Sequence, residues 1–102
     1  MTTGLTNERT LLDAAGARQQ LDQLDLSWQI VDGGTLRRVF MFDSFMDAMM
    51  FVNDIATVAE SYNHHPDMQI NYTKVVVSLT THDKGGLTSL DFLVARQIEL
   101  CC

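Results

Sequence analysis

The sequence predicts an α+β fold: a four-stranded antiparallel sheet with three helices packed on one face, in the order α-β-β-α-β-β-α. Three observations carry this. Two pairs of strand-like segments are each joined by a short break, which is how hairpins read. A long stretch with helical spacing separates the pairs, and further helical stretches flank them. Hairpins with intervening helices, rather than strands alternating singly with helices, point to helices covering one face of an antiparallel sheet.

The first element is expected from Thr6 to about Gln20. Thr6 can cap it, Glu8 lies in its first turn, and Leu11, Leu12 and Ala15 recur at helical spacing. Gly16 weakens that helix by ~1 kcal/mol relative to alanine. Trp28 to Val31, then Asp32-Gly33-Gly34, then Leu36 to Phe42 reads as a hairpin. In its second strand Leu36, Arg38, Phe40 and Phe42 share one face, and this mostly aromatic face is expected to meet the core.

Ser44 opens the long helix, with Asp47 three residues later in the manner of a capping box. Helical projection places Phe45, Ala48, Met49, Phe51, Val52, Ile55, Ala56, Ala59 and Tyr62 on one side. That stripe is about 180° wide, against the ~100° that covers one core. Met46 and Met50 add apolar surface beyond it, so part of the helix is expected to pack on another subunit. After a loop containing His64-His65-Pro66, Met68 to Tyr72 forms a strand and Thr73-Lys74 a turn. Val75 to Thr81 is dense in β-branched residues and is the clearest strand in the chain. Gly85-Gly86 interrupt it, and Thr88 with Asp91 opens a last helix to about Leu100.

The 102 residues suit a single domain, 1–102, since two cores would leave roughly 50 residues each. Charged residues make up 20% and hydrophobic ones 46%, unlike a disordered chain. Thirteen acidic groups against seven basic ones leave a net charge of −6. Direct nucleic-acid binding is not expected, because phosphate neutralisation needs clustered Lys and Arg. The first residues show no basic region followed by an apolar stretch, and the longest apolar run, Ala48 to Val52, is far below the ~20 residues that span a bilayer. A cytoplasmic protein without membrane contact is therefore expected. Cys101 and Cys102 are adjacent, closer than ordinary disulfide geometry allows, and read as reactive thiols on a frayed terminus.

All three histidines lie between Tyr62 and Asp83. If the second strand pair forms a hairpin, the start of one strand lies beside the end of the other, and His82 comes near His64 and His65. Pro66 biases His65 toward extended geometry. Adjacent extended residues point in opposite directions, so His64 and His65 are expected to differ in role. Spacing alone leaves three readings open: hydrogen bonding at a helix-to-strand junction, a three-histidine metal site, and general acid–base catalysis. Imidazole suits the last because its unperturbed pKa is ~6.5. Glu60 and Asp91 could orient such rings.

The stretch Glu60-Ser61-Tyr62-Asn63-His64-His65-Pro66-Asp67, then Tyr72-Thr73-Lys74-Val75, then Leu79-Thr80-Thr81-His82, resembles the pterin-4a-carbinolamine dehydratases. Gly86-Leu87 and Asp91 match the ending of that pattern, and Trp28 with Phe40-x-Phe42-x-x-Phe45 extends it upstream. The resemblance runs from about Leu5 to Glu99. It implies dehydration of 4a-hydroxytetrahydrobiopterin to quinonoid dihydrobiopterin, the step that recycles the pterin after aromatic amino-acid hydroxylation. It implies no cofactor and no metal. By the same resemblance His64, His65 and His82 are the catalytic residues, and Glu60, Asn63, Pro66, Met68 and Asp91 surround the substrate. Asp91 has a second reading as the N3 residue of a capping box. Met68 stands where many relatives have Trp, and Asn63 where many have Asp.

Family members form dimers and often tetramers, which implies a homodimer or homotetramer through a sheet edge and helix 44–62. An aromatic amino-acid hydroxylase or a transcription factor is an implied partner, since animal relatives stabilise dimers of a homeodomain protein. Two rival functions remain at this level: a non-catalytic interaction module, and a pterin-binding relative in another pterin pathway.

Overall fold

The computed structural model describes residues 9–102. Its first helix, α1, spans Ala14–Leu21 and is capped by Asp13, whose carboxylate accepts the Gly16 N–H at 2.7 Å. The expected start was earlier. Thr6 and Glu8 lie outside the described residues, but Leu11 and Leu12 are extended rather than helical. Leu11 bridges Thr88, and the Leu12 N–H donates to the Leu87 carbonyl at 2.8 Å. A main-chain group engaged with residue 87 is lost to a helix, so α1 begins at the next good cap. Gly16 fits here because a Cβ would stand 3.1 Å from the Asp13 carboxylate oxygen.

Strand β1, Gln29–Val31, and strand β2, Thr35–Met41, form the first hairpin, with Val31 opposite Thr35. Asp32 and Gly33 both take positive φ in the turn between them. Leu36 and Phe40 are buried as their face requires. Arg38 shares that face by laying its guanidinium 4.3 Å above the Phe40 ring, with Asp25 and Glu99 oxygens 3.8 and 3.9 Å away. Trp28 precedes β1 and donates its indole N–H to Glu99 at 2.9 Å.

Helix α2 spans Phe45–Tyr62, and Ser44 Oγ accepts the Asp47 N–H at 3.0 Å. Ala48, Phe51, Ile55 and Ala59 form its buried line. Met49, Val52 and Tyr62 are half-buried, while Ala56 is exposed. The apolar surface left over is large: Phe45, Met46 and Met50 are 45%, 67% and 62% exposed.

Strands β3, Asp67–Asn71, and β4, Lys74–Leu79, form the second hairpin. Its turn is Tyr72-Thr73, one residue earlier than expected, because Asn71 pairs with Lys74 and Tyr72 takes φ 56°. The sheet order is β1-β2-β4-β3, all antiparallel. Helix α3, Ser89–Glu99, completes the three-helix layer, as the sequence predicts. Leu36, Val75, Val77 and Leu79 from the sheet and Ile55, Val94 and Ile98 from the helices have no exposed surface. No described helix is long and apolar enough to cross a membrane.

The terminus is less frayed than the sequence suggests. The Cys101 N–H donates to Ile98 O at 2.9 Å, and its side chain packs against the core. Burial pushes the Cys101 thiol up from its ordinary value, with Asp54 and Cys102 adding to the effect. Such a thiol is less nucleophilic at neutral pH, not more.

Candidate active site

The site is built where α2 ends. Asn63 takes the left-handed conformation, φ 51° and ψ 44°, which asparagine tolerates better than most residues. The N–H groups of Asn63 and His64 turn back to the carbonyls of Glu60 and Ala59, at 3.3 and 3.0 Å. That reversal satisfies the helix end and swings His64 inward. Pro66, which has no N–H to give a helix, leads directly into β3.

The two adjacent histidines diverge as expected. His64 is 8% exposed, and its Nε2 lies 2.6 Å from Asp91 Oδ1. His65 is exposed, with Nε2 2.5 Å from Glu60 Oε2. A carboxylate only accepts hydrogen bonds, so in both pairs Nε2 carries the hydrogen and Nδ1 is the nitrogen left free of the carboxylate. Each ring is thus oriented through Nε2 by an acidic partner, an arrangement suited to proton transfer by imidazole.

Asp91 has no exposed surface. Its Oδ1 is the atom bonded to His64 Nε2. Its other oxygen, Oδ2, accepts the Thr88 N–H at 2.9 Å and the Thr81 hydroxyl at 2.8 Å. The capping role and the histidine-orienting role thus belong to two oxygens of one carboxylate. Thr81, named only within the motif, and Thr88, named only as a helix start, were not expected in the site. A threonine ending a β-branched strand looks like any other strand former, and only the Thr88-x-x-Asp91 spacing hinted at this contact.

His82 opens a 3₁₀ turn, His82–Lys84, and is exposed. Thr81, its neighbour in the chain, is bonded to the same Asp91 that holds His64, so the His82 turn and His64 share one support. Met68 is half-buried opposite Val77, and Pro66 is half-buried; Asn63 is exposed. Three surface hollows are lined by none of these residues: one of about 430 Å³ between α1 and α3, one of about 340 Å³ beside Met50 and Cys101, and one of about 670 Å³ beside Trp28. Among the described residues no three His, Cys, Asp or Glu side chains converge as a metal site.

A profile of the family described as Pterin 4 alpha carbinolamine dehydratase matches residues 10–101. A protein of Sulfurisphaera tokodaii named for pterin-4-alpha-carbinolamine dehydratase is 42% identical over 80% of this chain and 86% of its own. One from Picosynechococcus sp., named likewise, is 46% identical over 88% of this chain and 96% of its own. Among solved structures, a transcriptional coactivator/pterin dehydratase from Brucella melitensis superposes with a TM-score of 0.83. It is 36% identical, over 88% of this chain and 96% of that one. A pterin dehydratase-like RuBisCO assembly factor of the alpha-carboxysome shares the fold at a TM-score of 0.63 and 21% identity, over 74% of this chain and 88% of that one.

Proposed function

The chain belongs to the pterin-4a-carbinolamine dehydratase family, and on that premise we propose that it dehydrates 4a-hydroxytetrahydrobiopterin to quinonoid dihydrobiopterin, using His64, His65 and His82. Loss of the C4a hydroxyl as water needs a proton on the leaving oxygen, and imine formation needs N5 to lose one. His64 and His82 exchange these protons, and His65 orients the pterin. The single observation that most supports this reading is the His64–Asp91 pair. A buried carboxylate fixes the Nε2–H tautomer and leaves Nδ1 as the proton-exchanging atom. Met68, Pro66 and Asn63 border the same corner as candidate pterin contacts, Met68 offering a polarisable side chain to a ring face.

A direct assay of carbinolamine dehydration by the purified protein tests the activity. Decay faster than the spontaneous reaction, in a sample analysed for metal content, is the expected result; decay at the buffer rate overturns it. Glu60 is assigned to His65. In Glu60→Gln the exposed pair loses its charge, so stability should change by no more than ~0.5 kcal/mol. Dehydration should fall about tenfold through misorientation of His65, measured as kcat and KM on the same preparation. Unchanged kinetics would remove Glu60 from the site.

The second reading concerns assembly. Exposed Met46, Met50 and Phe45 on α2 support a homodimer or homotetramer using this helix together with a sheet edge. The same face would serve a protein partner, a hydroxylase or a transcription factor, and the net charge of −6 favours such a route over DNA contact. Action in the cytoplasm is part of this reading. Light scattering on Met46→Glu/Met50→Glu should show a smaller particle than wild type; an unchanged mass would take this face out of the interface.

A further inference from the structure

Among the described residues, four polar or charged side chains are buried: His64, Thr81, Thr88 and Asp91. They form one connected network. The Thr88 hydroxyl lies 2.9 Å from Thr81 Oγ1, Thr81 Oγ1 donates to Asp91 Oδ2 at 2.8 Å, and Asp91 Oδ1 meets His64 Nε2 at 2.6 Å. Burying such groups costs free energy unless every one is bonded. Here all four side chains are bonded to one another, directly behind a histidine.

Thr81 is the branch point. Its side chain enters the network of His64, while its main chain holds the turn of His82. The Thr81 N–H donates to Gly86 O at 2.9 Å, and the Thr81 carbonyl accepts from Lys84 and Gly85 at 3.0 and 3.1 Å. Without the hydroxyl, Oδ2 keeps the Thr88 N–H at 2.9 Å and the more distant Thr88 hydroxyl at 3.5 Å, and the carboxylate plane is held less tightly. Rotation moves Oδ1 off His64 Nε2 and releases the ring from its tautomer.

We propose that Thr81 is a positioning residue for the dehydration, setting His64 and His82 relative to each other through one residue that contacts both supports. It touches neither substrate nor reacting atoms. This rests on the reading that His64 and His82 transfer the protons.

The test compares Thr81→Val, which keeps the shape and loses the hydroxyl, with Thr81→Ser, which keeps the hydroxyl. His64→Ala is assayed alongside. Thr81→Val should lower kcat about tenfold with KM within twofold, and Thr81→Ser should restore kcat to within twofold of wild type. Nitrogen-15 shifts of the His64 ring should report the Nε2–H tautomer in wild type and Thr81→Ser, and a mixture in Thr81→Val. Loss of activity in His64→Ala with wild-type kcat in Thr81→Val overturns the role of Thr81 alone. Full activity in His64→Ala overturns the catalytic reading and this proposal with it. A Thr81→Ser variant as slow as Thr81→Val also overturns it, since packing rather than the hydroxyl would then matter. Should Thr81→Val fail to fold, the wild-type spectrum decides: an Nδ1–H tautomer at His64 overturns the proposal.

Discussion

Alanine at His82 or at His64 is expected to slow dehydration by about 10²–10⁴-fold, the range that a positioned acid or base supplies, while leaving the assembly intact. The two variants should differ in stability, and that difference makes the pair informative. His82 is exposed in a short turn, so its removal should cost within ~0.5 kcal/mol. His64 is buried against Asp91, and its removal leaves Oδ1 without a partner, at about 1–3 kcal/mol. Equal losses of activity with unequal losses of stability, read by stopped-flow assay and urea titration, would separate chemistry from folding. Full activity in either variant would overturn the assignment.

The largest loss of stability should follow Asp91→Ala. One substitution strands the buried Thr88 N–H and His64 Nε2 and leaves the Thr81 hydroxyl only the Thr88 hydroxyl to bond to. Each buried donor left without an acceptor costs about 1–3 kcal/mol, so two of them take a large share of the ~5–15 kcal/mol that holds a domain together. The urea midpoint should fall by at least ~1 M at ordinary denaturant slopes. Asp91→Asn is the instructive companion. It keeps the volume and one accepting oxygen, so stability should recover in part. An amide turned toward Nε2, however, donates where the ring must donate, and the tautomer that exposes Nδ1 is lost. Activity should therefore stay low in both variants. Less than 1 kcal/mol lost in Asp91→Ala would show that the network is not structural.

Most of the architecture is legible in the sequence because it follows from period and composition. The β-branched run around Val75–Val77, the two hairpins and the three helices all appear in their expected order. The misplacements come from main-chain pairing, which residue spacing does not show. Leu11 and Leu12 have helical spacing, yet residues 87 and 88 claim that segment, and local spacing carries no information about a partner so far away. The turn at Tyr72-Thr73 is set by the pairing of β3 with β4, which outweighs the reluctance of tyrosine to take positive φ.

The site divides in the same way. His64, His65 and His82 are recognisable by motif, and Glu60 by its place one turn before the pair. Asp91 is ambiguous in sequence because one carboxylate serves two neighbours: Oδ2 caps the Thr88 N–H while Oδ1 holds His64. Asn63 is the most misleading position. Compared with relatives it looks like a lost charge, whereas in the structure it is the left-handed residue that ends α2 and turns His64 inward. Thr81 stands in the Leu79-Thr80-Thr81-His82 motif, but nothing local shows its contact, a hydroxyl bonded to a residue ten positions away.

The strand order β1-β2-β4-β3 bears on how the chain reaches its native state. The central ladder joins β2 to β4, pairing Leu36 with Leu79 and Met41 with Lys74 across the whole length of α2. Each hairpin can close locally, but neither has a finished core until the other docks against it. Joining distant segments costs loop-closure entropy before any contact repays it, which slows folding relative to a helical bundle of the same size. The histidines and their supports all lie within residues 60–91, on the second hairpin and its flanks. The chemistry is thus encoded in one contiguous stretch, but its rigidity is borrowed from the other half of the chain and arrives only with the last long-range pairing.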